Sequence, residues 1–142
     1  MINILAVEND GLNASQIYSA LSDRRRYHLA ICESGYTALE AVGQKRFDLI
    51  IIARDLPYLS GLKTARTIRK RIGMDISPFI ITAPSFEMEE INAFIPTGVF
   101  DFWEQPLRSP RIKLAADSAP KWQGTEDNLK NFKEYLQRNG WW

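Results

Sequence analysis

Phe47-Asp48-Leu49-Ile50-Ile51-Ile52-Ala53 (FDLIIIA) is the most apolar stretch of the chain and reads as a central strand. Upstream, Ile2–Val7 is another short apolar run and reads as a strand buried on both faces. It ends in Glu8-Asn9-Asp10-Gly11, and Leu12, Ile17 and Leu21 follow at helical spacing, with Asp10 placed to cap that helix. Tyr27–Cys32 is a β-prone segment, and Ser34 precedes a helix carrying Ala38, Leu39 and Val42. Downstream, Pro57 and Gly61 mark a loop and Leu62, Ala65 and Ile68 mark a helix. Residues 78–82 read as a fourth strand, Glu87–Phe94 as a short helix stopped near Pro96, and Val99–Trp103 as a fifth strand. Strands alternating with helices imply parallel pairing, hence a doubly wound five-stranded α/β domain.

Past Pro106 the pattern changes. Residues 108–124 mix two prolines, serines and charges without a helical stripe, so an irregular linker of about 18 residues is expected. Glu126 and Asp127 then open an amphipathic helix through Leu129, Phe132 and Leu136, with Gly140 as its stop. The expected organisation is an α/β domain over residues 1–107, a linker over 108–124, and a helix and tail over 125–142. That last helix either docks on the same domain or is exchanged between two copies in a homodimer.

Composition narrows the function classes. The chain has 142 residues, a formal net charge of +1 and one cysteine, Cys32, with one histidine, His28. A disulfide framework and a His/Cys metal cluster are excluded, and a near-neutral charge gives no support to nucleic-acid binding. No apolar run is long enough for a membrane helix, and Met1–Leu5 lacks a basic leader region, so a cytoplasmic protein is expected.

Four segments then stand in register at the strand ends: ILAVEND (4–10), DLIIIARDLPYLSG (48–61), PFIITA (78–83) and FDFWEQP (100–106). Together they resemble the receiver domain of two-component response regulators, a flavodoxin-like fold, over roughly residues 2–107. The resemblance implies a pocket at the carboxyl ends of the strands. The family's acidic pair falls on Glu8 and Asn9, its phospho-accepting aspartate on Ala53, its hydroxyl residue on Thr82, its lysine on Gln105 and its switching aromatic on Phe102.

The reactive groups are thus replaced. An aspartyl phosphate needs a carboxylate oxygen as nucleophile, and the Ala53 methyl has none. Mg2+ needs hard oxygens, usually with carboxylates among them. Losing one carboxylate at contact range removes about 4 kcal/mol of attraction at an effective dielectric near 20, or about a thousandfold in affinity. The resemblance therefore implies a degenerate pseudo-receiver with no catalytic residues, no cofactor and no metal. It would act by protein–protein contact with a histidine kinase or other regulator, at a surface including Phe102, Trp103 and the C-terminal segment. The alternative is a phosphorylatable regulator using Asp55, two residues past Ala53, as surrogate acceptor with Mg2+.

Other features have simpler readings. Thr82 reads as a strand-end hydroxyl bonded to backbone, and Lys63, Arg66, Arg69, Lys70 and Arg71 as a solvated helix face. Trp141 and Trp142 are either a docking anchor or a cover over the domain's own apolar surface.

Overall fold

A computed structural model describes residues 1–73 and 77–141. The strands β1 (Ile2–Val7), β2 (Tyr27–Cys32), β3 (Leu49–Ala53), β4 (Phe79–Ala83) and β5 (Val99–Glu104) form one parallel sheet in the order β2-β1-β3-β4-β5. The helices are α1 (Gly11–Ala20), α2 (Gly35–Gln44), α3 (Gly61–Ile72), α4 (Met88–Phe94), α5 (Ser109–Ser118) and α6 (Thr125–Arg138). Strand alternation divides the core. Leu5 and Val7 of β1 join Ile50, Ile52, Ile81 and Phe102 on the α2–α4 side, whereas Ile4 and Ala6 join Ile51, Ile80, Trp103 and Ile112 on the α1–α5 side. The expected caps are in place: Asp10 accepts from the Asn13 amide at 2.9 Å and Ser34 from the Thr37 amide at 3.3 Å.

The irregular linker expected over 108–124 is corrected. Ser109–Ser118 is a helix and Ala119–Lys121 a 3-10 turn. Pro110 and Pro120 both fall in first turns, where no amide donor is needed. The buried stripe of α5 is Ile112, Ala115 and Ala116, followed by Ala119, and small alanines let it lie close against α1 and Tyr27. This helix completes the sheet face beside α1, so α6 is an addition rather than a displaced fifth helix.

In this chain α6 docks on its own β5. Tyr135 is buried against Phe102, ring centroids 5.4 Å apart, and Asn131 donates its amide to the Phe100 carbonyl at 2.8 Å on the sheet's edge. Trp141 lies edge-on to Tyr135 at 6.1 Å, covering the domain's own surface, and Trp142 lies outside the described residues. Phe102 and Trp103 are each only 2% exposed, so the expected contact surface at these two residues is overturned. Alternation sends Phe102 under α6 and Trp103 under α5, and neither side of β5 is left bare.

The solvated face expected on α3 also needs correction at one position. Arg69 is 5% exposed and donates to the carbonyls of Thr97 (2.7 Å), Gly73 (3.0 Å) and Ser77 (3.0 Å). Its guanidinium lies 3.6 Å from the Phe79 ring centroid. It shares the inward face with Ala65 and Ile68, and its five-donor fork satisfies loop carbonyls that apolar side chains cannot.

Two buried phenols make the fold sensitive to alkali. Burial, with Asp117 accepting from the hydroxyl at 2.6 Å, pushes Tyr27 up to about 12. Burial and the nearby Glu104 push Tyr135 to about 12 as well, both from an ordinary 10.0. The folded state favours the neutral phenol, so this stability is complete below the unfolded value and is lost as pH rises from 10 toward 12. Denaturant midpoints should therefore fall between about pH 10 and about pH 12, and the Tyr27→Phe/Tyr135→Phe double variant should flatten that decline.

Candidate functional site: a strand-end cleft without its nucleophile

The carboxyl ends of β1, β3, β4 and β5 open into a cleft of about 490 Å3. Glu8, Ala53, Thr82 and Gln105 all line it, so four of the five pocket positions expected from sequence are brought together. Asn9 is exposed and does not line it. Asp10, Asn13, Gln16, Asp55, Pro84 and Pro106 complete much of the wall. The sequence reading missed Asn13 and Gln16 as site residues, although their spacing from Asp10 places them on one turn-to-turn ridge of α1. Gly61 closes the loop after β3: its amide donates to the Arg54 carbonyl at 3.0 Å, and a Cβ there would sit 2.3 Å from the Ala53 carbonyl oxygen.

Glu8 is 4% exposed. Its Oε2 accepts from the amides of Asn9 (3.0 Å) and Asp10 (3.1 Å), while Oε1 has no partner. Burial, aided by the Asp10 charge, pushes its carboxyl above the ordinary 4.5, the two backbone donors and the nearby Asn13 side chain opposing the shift without cancelling it. A raised carboxyl value means that ionised Glu8 works against the fold once pH exceeds the folded value. Glu8→Gln should accordingly raise stability at pH 7, with the gain shrinking as pH falls toward 4.5. Chemical denaturation of both proteins at two pH values measures it. The Thr82 hydroxyl, expected to bond backbone, has no partner: the strand's ladder consumes the carbonyls around it, and its oxygen is left at the cleft wall.

Asp55 lines the cleft, but its carboxylate is held in a fork by Arg54, Nε to Oδ1 and Nη2 to Oδ2, both at 2.9 Å. That hydrogen-bonded pair keeps its carboxyl below the usual range. Arg54 also donates to the Ser85 carbonyl at 2.6 Å and pairs with Glu90 at 2.9 Å, anchoring the fork to α4. A nucleophilic oxygen at Asp55 would have to leave this bidentate pair first.

The donor set does not fit Mg2+. Glu8 offers one free carboxylate oxygen, Asp10 is engaged in capping α1, Asp55 is held by Arg54, Ala53 offers a methyl, and Asn9 lies outside the wall. No group of three or more His, Cys, Asp or Glu suited to a metal ion occurs among the described residues.

Residues 4–117 match the response regulator receiver domain family, and the chain belongs to that family. Among curated relatives, the autoinducer 2 sensor kinase/phosphatase LuxQ of Vibrio cholerae is 29% identical over 82% of this chain and 13% of its own length. The transcriptional regulatory protein ZraR of Escherichia coli K12 is 30% identical over 83% of this chain and 26% of its own length. The chain thus spans about a quarter or less of these relatives. Solved structures share the fold. The chemotaxis protein CheY4 of Vibrio cholerae superposes with a TM-score of 0.75 at 18% identity, over 84% of this chain and 98% of that one. The receiver domain of the Pseudomonas aeruginosa sensor histidine kinase PA1611, which carries a magnesium ion in its active-site cleft, gives 0.74 at 21% identity, over 85% and 98%. The protein is therefore a receiver domain of two-component signalling. No described helix is long and apolar enough to cross a membrane.

Proposed function

We propose that this receiver domain is a pseudo-receiver, passing its signal by protein–protein contact without being phosphorylated and catalysing no reaction of its own. The observation that carries the reading is the Ala53 methyl on the cleft wall at the position that matches the phospho-acceptor. Gln105 in place of a cation and the Arg54 fork on Asp55 support it, since the carboxylate two residues past Ala53 is already held by a guanidinium. The partner proposed is a histidine kinase or another regulator of a phosphorelay, in a cytoplasmic setting; kinases stand among the curated relatives. The covered Phe102 and Trp103 move the contact surface outward, onto α6 and its surroundings. A homodimer made by exchanging α6 would reuse the α6–β5 contacts, and a light-scattering mass of 16.3 kDa at micromolar concentration would contradict it.

Beryllofluoride with Mg2+ mimics a phosphoryl group on a receiver's aspartate. The amide spectrum of this chain should be unchanged by that mixture. Shifts at Ala53, Thr82 and Phe102 would overturn the reading, and shifts centred on Asp55 would favour the surrogate acceptor.

A further inference from the structure

Four buried side-chain oxygens lack a hydrogen-bond partner among the described residues. Three of them, Glu8 Oε1, Gln16 Oε1 and Thr82 Oγ1, belong to residues lining the strand-end cleft. Glu8 and Thr82 are 4% and 1% exposed, so neither oxygen is satisfied by bulk water. A buried acceptor left unpaired keeps the full desolvation penalty of that group. Three in a single cleft point to a missing donor.

The charges around the cleft narrow the donor's chemistry. Its ionisable lining residues are Glu8, Asp10 and Asp55, and no Lys, Arg or His lines it. Arg54, next to Ala53 in the chain, is turned to Asp55, Ser85 and Glu90. An anion would meet carboxylates without a counter-charge. Mg2+ needs a near-octahedral oxygen cage, but Asp10 caps α1, Asp55 is held by Arg54, and no group of three or more His, Cys, Asp or Glu suited to a metal ion occurs among the described residues. Water brings two donors, and its lone pairs can accept from the Thr82 hydroxyl, but it brings no positive charge to a cleft lined by carboxylates. A primary ammonium carries three N–H donors, no acceptor and one positive charge, which matches three orphaned acceptors of which one is a carboxylate.

We propose that this cleft is a receptor site for an alkylammonium group, presented as a small free amine or as a lysine side chain of a partner protein. The lysine form rests on the protein-contact function proposed above, and the free-amine form does not.

The test uses the full chain, 15N-labelled, titrated at constant ionic strength with n-butylammonium, with Nα-acetyl-lysine methylamide, and with the norleucine analogue that lacks the ammonium. The amides of Glu8, Asn9, Asp10 and Thr82 should shift saturably with both amines and not with norleucine. Glu8→Gln should weaken that binding about tenfold or more while leaving the rest of the spectrum in place. A lysine amide binding tighter than butylammonium assigns the site to a partner's side chain, and the reverse order assigns it to a free amine. No shift with either amine, equal shifts with norleucine, or binding unaltered in both Glu8→Gln and Thr82→Val would overturn the proposal, as would saturation of the cleft by MgCl2 alone. Phosphate incorporation would remove the pseudo-receiver reading and still leave the amine titration to be judged on its own result.

Discussion

Replacing Arg69 by alanine should lower the stability of the fold by about 3 kcal/mol or more, because each buried carbonyl left without its donor costs about 1–3 kcal/mol. The guanidinium holds the carbonyls of Gly73 and Ser77, from the connection between α3 and β4, and of Thr97, from the 3-10 turn before β5. Without it the buried carbonyls of Thr97 and Ser77 lose their donor, and the face of Phe79 loses a cation 3.6 Å away. For a chain of this size the melting temperature should fall by about 10 °C or more. Arg69→Lys should recover only part of the loss, because a single ammonium on a flexible stem cannot span carbonyls set around a planar fork. A change below about 1 kcal/mol for the alanine variant would show that the carbonyls find water or another donor.

The second large effect belongs to α6. Tyr135 packs against Phe86, Phe102 and Trp141, and its hydroxyl points to Glu104. Tyr135→Ala should cost about 3–4 kcal/mol, the range for truncating a buried aromatic. It should also expose Phe102 to solvent, read as faster hydrogen exchange at the Phe102 amide and its neighbours. If α6 were a loose appendage, the variant would unfold at the wild-type midpoint and only the local exchange would change. The same measurement on a dilution series separates docking within one chain from exchange between two, since a shared helix makes the midpoint depend on protein concentration.

Much of this fold is legible in the sequence because its signals are of long range and regular period. FDLIIIA and the apolar runs on either side can be satisfied only by strands buried on both faces, and the helices between them carry stripes wide enough to see. Helix α5 hides because its inward face is built from Ala115, Ala116 and Ala119 around one Ile112, and small side chains leave little hydrophobic signal. Arg69 hides because charge is read as exposure, although its i−4 and i−1 neighbours Ala65 and Ile68 mark the inward face. Phe102 and Trp103 show a strand with apolar residues on both sides. Only the added helix α6 decides that the outer side is covered.

The site divides in the same way. Glu8, Ala53, Thr82 and Gln105 are found by motif register, since strand ends in a parallel sheet are fixed by the ladder. Gln16 and the Arg54–Asp55 fork depend on side-chain directions in a helix and a loop, which no spacing rule supplies. The Ala53 methyl is thus visible in one residue, whereas the orphaned acceptors around it appear only in three dimensions.

The central claim is that no group in this cleft takes a phosphoryl group. Incubation with acetyl phosphate and Mg2+, followed by intact-protein mass spectrometry, tests it most directly. The mass should stay at that of the unmodified 16.3 kDa chain. A stoichiometric gain of one phosphoryl group would contradict it, and mapping that group to Asp55 would identify the residue that replaces the lost aspartate.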